Sequence, residues 1–139
     1  MNIKRVSNVI LAVQNMEKSL QFYHEVLGMP IKNKRENWID LGESGGSLLS
    51  LHPAADDEPH SGTSIRNGVL VGLIVGDIKS AVEELKSKDV KIYREIQTKE
   101  AGKNAIVVDP DNYMISLFEP DFSDQKDKQT TGYVGFTPE

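Results

Sequence analysis

The chain contains no cysteine. Disulfide bonds, thiolate metal ligands and cysteine nucleophiles are therefore all excluded. A disulfide-stapled secreted scaffold and a zinc finger both depend on this residue, so neither class of protein is available. Any chemistry must use other side chains.

Clustered basic residues and long apolar runs are also missing. Aspartate and glutamate (21) outnumber lysine and arginine (16), which gives a formal net charge of -5. Because nucleic-acid binding draws its affinity from clustered basic side chains, we expect no nucleic-acid partner.

No apolar run approaches the roughly 20 residues that a membrane helix needs. The apolar stretch after Lys4 and Arg5 is interrupted by Asn8 and has no cleavage pattern, so it predicts a strand rather than a signal peptide. We therefore expect a cytoplasmic protein with no membrane partner.

What the chain does contain is an internal repeat. The segment Asn8–Leu20 is echoed by Leu70–Val82, and Leu49–Pro53 is echoed by Ile115–Pro120. A repeat seen only twice predicts two copies of one supersecondary unit that share a core, because a solenoid needs three or more. The length of 139 residues, with 38% hydrophobic and 27% charged content, fits one globular domain.

Both halves show the same order of elements, namely strand, helix, strand, strand, strand. In each half a side chain that can cap a helix, Asn15 or Asp77, follows a buried strand. Gly28 ends the first helix, whose apolar face is predicted to contain Met16, Leu20, Tyr23 and Leu27. The inner face of the second helix is predicted to contain Ile78, Ala81, Val82 and Leu85. The predicted strands are Val6–Val13, Met29–Asn33, Trp38–Leu41, Ser47–Leu51, Val69–Val75, Val90–Tyr93, Ala105–Val108 and Tyr113–Phe118, with a linker over Ala54–Asn67 and a turn over Asp109–Asn112.

Three features of the sequence occur together: the repeat, the helix phrase Ser19–Tyr23 followed by Val26–Met29, and the late phrase Asp109–Leu117. In this combination they resemble the vicinal oxygen chelate superfamily, which includes glyoxalase I, bleomycin-resistance proteins and extradiol dioxygenases. The resemblance implies an α+β fold in which two βαβββ modules form a curved mixed sheet around a cleft, with the helices outside. The modules would span about residues 3–53 and 67–120, followed by a polar tail over 121–139. It also implies a homodimer.

The resemblance also implies where a metal would be bound, on the first and last strands of each module. These positions fall on Asn8, Ser50, Leu70 and Ser116, and none of them is His, Glu or Asp. Leucine has no donor atom, and neutral serine and asparagine oxygens are weak ligands. Moving a strand by one residue does not supply better ligands, since the neighbours are apolar. We therefore predict no metal and no other cofactor.

Five residues are predicted to bind a ligand: Asn8, Trp38, Ser50, His52 and Ser116. His52 lies two residues after Ser50 and should share its face of the strand, although a solvated histidine at a strand end is an alternative. Trp38 is the only tryptophan and can either stack on a ligand or pack in the core. The serines either donate hydrogen bonds to a ligand or fill the space of lost metal ligands.

Other polar residues have simpler explanations. His60 lies in an acidic loop that is poorly suited to hold a metal, and His24 is expected at the surface or rim. Glu119 can end a strand in solvent or close the cleft with its carboxylate. The tail either has no fixed structure or folds back as a latch over the cleft or onto a partner subunit.

Three functions remain open. The first is a metal-independent protein that binds or sequesters a small organic molecule or drug without transforming it. The second is a lyase, isomerase or dioxygenase with non-standard metal ligands, for example His52 with Glu119. The third is a structural or regulatory module whose cleft is filled by its own side chains. Because the metal-ligand positions hold unsuitable residues, the first hypothesis is favoured over an enzyme.

Overall fold

Two separate units of the same design make up the chain. The structure is a computed structural model that describes residues 1–43, 46, 48–54 and 69–121. The chain divides into unit Met1–Thr63, here called module 1, and unit Ser64–Glu139, here called module 2. Each module has the order βαβββ, which confirms the predicted α+β fold class.

The elements follow one another in the same order in both modules. Module 1 contains β1 (Asn8–Val13), α1 (Met16–Leu20, continued by π-helical turns over Gln21–Val26), β2 (Ile31–Arg35), β3 (Trp38–Leu41) and β4 (Leu48–Pro53). Module 2 contains β5 (Leu70–Ile74), α2 (Ile78–Ser87), β6 (Ile92–Lys99), β7 (Gly102–Val108) and β8 (Met114–Pro120).

Each module forms a four-stranded mixed sheet in which the first strand lies at an edge. The orders are β1-β4-β3-β2 and β5-β8-β7-β6, and the first strand pairs in parallel with the last. The remaining pairs are antiparallel. Since side chains alternate between the two faces of a strand, each sheet presents one set of residues to the helix and another set to the opposite face.

The core of module 1 combines the sheet with the first helix. Apolar residues of β1, β3 and β4 are buried, together with two aromatic residues of the helix. These core residues are Leu11, Val13, Phe22, Tyr23, Ile39, Leu41, Leu49 and Leu51. In module 2 the corresponding core includes Ile78, Val82 and Leu85 of α2, as predicted, whereas Ala81 is half-buried.

Both predicted helix caps are confirmed. The side chain of Asn15 accepts a hydrogen bond from the Lys18 backbone N–H at 3.0 Å. Asp77 accepts one from the Ser80 backbone N–H at 3.2 Å. The predicted turn at Asp109 is also present, because its Oδ1 accepts from the backbone N–H groups of Asp111 and Tyr113.

The first helix differs from its prediction after Leu20. The chain widens into π-helical turns, and the Leu27 N–H donates to the Phe22 carbonyl at 2.9 Å, five residues back. The wider turns place the neighbouring residues Phe22 and Tyr23 both in the core, while Ser19 is already buried in the α-helical turn before them. The predicted 3.6-residue spacing is therefore wrong for the second half of this helix.

Several strand limits are also corrected. β1 begins at Asn8 rather than Val6, and the Val6 side chain is exposed. β2 lies two residues later than predicted, β4 continues to Pro53, β7 begins at Gly102, and β8 continues to Pro120. β6 continues to Lys99. After Tyr93 its one apolar residue is Ile96, and the half-buried Arg94 and the exposed Glu95 and Gln97 around it hide the apolar signal. Three predictions concern residues outside the described part of the chain. They are the linker after Ala54, His60 within it, and the tail after Asp121.

No helix in the part of the chain that the structure describes is long and apolar enough to cross a bilayer.

Candidate functional site

A chain of polar side chains crosses the sheet of module 1. The Asn8 amide N–H of β1 donates to Ser50 Oγ of β4 at 2.9 Å, and this hydroxyl donates to Asp40 Oδ1 of β3 at 2.5 Å. The Trp38 indole N–H donates to the same carboxylate oxygen at 2.8 Å. Asn33 of β2 donates to the other carboxylate oxygen at 3.2 Å. The network therefore spans all four strands.

Strand register explains why these residues meet. Ser50 lies opposite Ile10 of β1 on one side and opposite Asp40 of β3 on the other. Asn33 of β2 lies opposite Asp40 in turn. Residues opposite one another in adjacent strands share a face, so these side chains all lie on one side of the sheet. Ile10 adds an apolar side chain that is 50% exposed.

The next row of the same face carries two aromatic rings. The rings of Trp38 and His52 are nearly parallel, with an interplanar angle of 23° and centroids 5.9 Å apart. Both side chains are half-buried. Arg35 lies opposite Trp38 on β2 and is exposed. This face thus combines an exposed edge of aromatic surface with one carboxylate and one guanidinium group.

Hydrogen bonding lowers the pKa of Asp40. The largest cause is the hydrogen bond from Ser50, and the bonds from Trp38 and Asn33 and the positive charge of Arg35 act in the same direction. Partial burial opposes the shift. The favourable interactions with the charged form prevail, so Asp40 is a carboxylate at neutral pH.

The four metal-ligand positions implied by the family resemblance do not suit a metal. Asn8 and Ser50 bond to each other, and the Asn8 Oδ1 accepts from the Ser7 hydroxyl at 2.7 Å. Leu70 packs against an apolar cluster of Ile106, Val108 and Met114. Among the described residues no group of three or more His, Cys, Asp or Glu side chains is placed to hold an ion. Neutral oxygens already engaged in hydrogen bonds are poor ligands for divalent ions.

A second polar network lies in module 2. The buried Asn104 of β7 donates to Ser116 Oγ at 2.6 Å and to the Leu117 carbonyl at 3.0 Å. Its own carbonyl oxygen accepts from Arg94 of β6 at 2.9 Å. The Asn104 amide thus links β6, β7 and β8. It also provides the polar partner that the fully buried Ser116 requires.

The structure brings together four of the five residues predicted to bind a ligand. Asn8, Trp38, Ser50 and His52 lie on the same face of module 1, whereas Ser116 belongs to module 2. Asp40 was not among the residues predicted to bind a ligand, although its carboxylate joins Ser50 to Trp38. The feature of the sequence that could have identified Asp40 is its place in β3, where a carboxylate lies between the buried residues Ile39 and Leu41.

Asn104 was likewise missed. It is one amide directly before the apolar run of residues 105–108, and a buried amide of this kind predicts a specific partner.

Two remaining candidates have structural roles. Glu119 Oε1 accepts a hydrogen bond from the Ile78 backbone N–H at 2.9 Å, so this carboxylate satisfies the start of α2. His24 is half-buried, and its Nδ1 lies 2.7 Å from the Met29 carbonyl oxygen.

The paired βαβββ modules define a class of proteins that share this fold while differing in chemistry. The model of the Glyoxalase/Bleomycin resistance protein/Dioxygenase superfamily matches residues 5–117. The chain belongs to this superfamily.

Curated relatives of the chain carry enzyme names. A probable lactoylglutathione lyase of Vibrio parahaemolyticus is 29% identical over 83% of this chain and 90% of its own length. A probable lactoylglutathione lyase of Synechocystis is 30% identical over 81% of this chain and 92% of its own length. The human mitochondrial methylmalonyl-CoA epimerase is 28% identical over 78% of this chain and 68% of its own length.

Solved structures share the fold at lower identity. TnmS3, an antibiotic binding protein from Streptomyces sp. CB03234, has a TM-score of 0.71 and 21% identity, covering 87% of this chain and 99% of its own. A glyoxalase/dioxygenase from Nostoc punctiforme has a TM-score of 0.72 and 18% identity, covering 86% of this chain and 93% of its own. At these identities the similarity concerns the fold alone.

Proposed function

We propose that this chain is a metal-independent member of the superfamily that binds, and sequesters, a small organic molecule. One observation carries the proposal: Asn8 and Ser50, at two positions implied to hold metal ligands, are bonded to each other, and Ser50 is bonded in turn to Asp40. A side chain whose donor and acceptor atoms are satisfied within the protein gains little by binding an ion.

The ligand would bind on the aromatic and polar face of module 1. Trp38 and His52 offer flat ring surface, and the half-buried Asn8 lies on the same face. Ser50 is fully buried and would act through its hydrogen bonds to Asn8 and Asp40. Ser116 of module 2 is retained as a fifth candidate, although it is buried and bonded to Asn104. We further propose that the protein is a cytoplasmic homodimer, because the sequence has no apolar run of membrane-spanning length and the family resemblance implies a dimer.

Catalysis by the same superfamily chemistry is the second candidate, and the names of the relatives favour it. Lactoylglutathione lyase and methylmalonyl-CoA epimerase occur among proteins 28 to 30% identical to this chain. It would require unusual ligands, for which His52 and Glu119 were the sequence-based suggestion. Because Glu119 already accepts from the Ile78 N–H, using it as a ligand would release the start of α2.

The deciding experiment is elemental analysis of untagged protein purified without added metal, with thermal-shift titrations against Zn, Ni, Mn and Fe(II). Our proposal predicts less than a stoichiometric amount of metal and no stabilisation by these ions. A bound stoichiometric ion that is lost in His52→Ala would contradict it and favour the enzyme.

Ligand binding is then tested with a library of small organic molecules, using quenching of Trp38 fluorescence. Since Trp38 is the only tryptophan, the signal comes from this site alone. Trp38→Phe serves as the control, read by calorimetry, because it keeps an aromatic ring. If neither metal nor any organic molecule binds, the third interpretation, a filled structural module, replaces the proposal.

A further inference from the structure

We propose that Asp40 is a positioning residue that fixes the Trp38 indole as a stacking surface for planar aromatic cations, with Ser50 and Asn8 as its supports. This inference rests on the proposed function and names the class of ligand. It also gives a new role to two positions at which the family resemblance implies metal ligands.

The bonds to Asp40 hold the indole in one orientation. The Trp38 N–H donates to Asp40 Oδ1 at 2.8 Å, and Ser50 donates to the same oxygen at 2.5 Å. Asn8 in turn donates to the Ser50 oxygen, so the proton of the Ser50 hydroxyl is directed at Asp40. Trp38 is therefore tied through side chains to β4 and β1, well beyond its own strand. A ring held in this way loses little rotational freedom when a ligand stacks on it.

The carboxylate also changes the electronic character of the indole. A donated N–H that points at an anion leaves more electron density on the ring, and the face of an aromatic ring attracts cations. Asp40 is ionised at neutral pH, and the hydrogen bonds that Ser50, Trp38 and Asn33 donate to it lower its pKa below the ordinary value. An aromatic cation would therefore gain from the ring face and from the nearby negative charge together.

The site already accepts a flat ring beside Trp38. The His52 imidazole lies within 23° of parallel to the indole, with the centroids 5.9 Å apart. Offset stacking at such distances is the favoured arrangement of aromatic pairs. A planar ligand would stack on the part of the Trp38 indole that His52 leaves uncovered.

Arg35 is the opposing charge on this face. It lies opposite Trp38 on β2, and its positive charge helps to lower the pKa of Asp40. A cationic ligand is repelled by Arg35 and attracted by Asp40. These two residues therefore provide variants with opposite expected effects on the same ligand.

The test compares two probes of the same three-ring shape, 10-methylacridinium and 9-anthracenecarboxylate, by calorimetry on the full chain at pH 7.5. We expect the cation to bind wild-type protein at least about fivefold more tightly than the anion. Asp40→Asn keeps a hydrogen-bond acceptor but removes the charge, and should reduce this ratio about fivefold. Arg35→Gln should increase it, and Trp38→Leu should abolish binding of both probes.

A separate spectroscopic measurement distinguishes positioning from a general effect on folding. The time-resolved fluorescence anisotropy of Trp38 should show a fixed indole in wild type and Asp40→Asn, and a more mobile one in Asp40→Ala and Ser50→Ala. If Asp40→Asn does not fold, the Arg35→Gln ratio still decides the charge effect.

Each failure has its own meaning. Equal binding of the two probes, no binding of the acridinium ion, or an unchanged ratio in the charge variants would overturn the inference. A neutral or anionic molecule that binds stoichiometrically would overturn the ligand class while leaving the proposed function intact. A stoichiometric metal with no organic ligand would overturn both.

Discussion

Gly102, the first residue of β7, is the position at which one added methyl group should do most damage. Its backbone φ is +151°, a conformation that other residues rarely adopt. A Cβ built here would lie 2.2 Å from the Glu119 carbonyl oxygen and 2.8 Å from Cε1 of Phe118. The carbonyl belongs to β8, which pairs with Gly102 through Pro120, so the clash cannot be relieved by rotating a side chain.

The expected cost of Gly102→Ala has two parts. Holding alanine in this backbone region costs about 1–3 kcal/mol. Displacing the β8 backbone and the Phe118 ring, which is 2% exposed, costs about 1–3 kcal/mol more. We therefore expect the free energy of unfolding to fall by about 2–6 kcal/mol, a large part of the total for a small protein.

Two other glycines provide matched controls. Gly28, after the first helix, has φ of +85° but no atom within 4 Å of an added Cβ, so Gly28→Ala should cost only the backbone strain of about 1–2 kcal/mol. Gly76 has neither a positive φ nor a neighbour within 4 Å. Gly76→Ala should be neutral or stabilise by about 0.4–1 kcal/mol, because alanine restricts the unfolded chain.

Urea unfolding followed by far-ultraviolet circular dichroism measures all three variants. The expected order of stability is Gly76→Ala, then Gly28→Ala, then Gly102→Ala. If Gly102→Ala were no less stable than Gly28→Ala, the close approach of β7 and β8 at this position would be refuted.

Three further predictions concern the polar networks and a helix cap. Asn104→Ala should reduce stability by about 2–4 kcal/mol, since it removes the hydrogen bonds of a buried amide to Arg94, Ser116 and the Leu117 carbonyl. Urea unfolding tests this prediction, with the exposed Lys103→Ala as control, and similar stabilities of the two variants would contradict it. Asn15→Ala should reduce stability by about 1 kcal/mol, because the helix cap is lost. Asn15→Ser keeps a capping oxygen and should retain most of this stability. If the two variants lost equal stability in thermal unfolding, the capping role would be contradicted. The folded-state pKa of Asp40 lies below its ordinary value of 3.8, so the unfolded state binds a proton more readily and stability should fall as pH decreases below about 4. Urea midpoints measured between pH 3 and 7 should vary less with pH in Asp40→Asn than in wild type, and equal pH dependence would show that Asp40 contributes nothing to it.

Local features of the sequence predicted the elements well. Asn15 and Asp77 were predicted to cap the helices and do so, because a cap needs only an acceptor three residues before a backbone N–H. The pattern of apolar residues also identified every strand, although the limits of most moved by two or more residues. The π-helical turns were missed because an extra residue per turn leaves no distinctive local signal.

The candidate site was predicted only in part. His52 was expected on the same face as Ser50 because strand side chains alternate, and it stacks on Trp38, whose indole bonds to Asp40 together with Ser50. Asp40 was not selected, since one carboxylate in a strand is consistent with an ordinary solvated position. Only its bonds to Ser50 and Trp38 show that it organises this face.

The sequence by itself therefore determined the two βαβββ modules, their helix caps and the unsuitable residues at the implied metal positions. These properties depend on periodicity and residue type, which are local. The tertiary structure decided which polar groups meet. Asn8 and Ser50 are 42 residues apart along the chain, and Asn104 lies 12 residues from Ser116. Contacts of this kind depend on the register between strands, and that register forms only when the apolar residues of each module pack together.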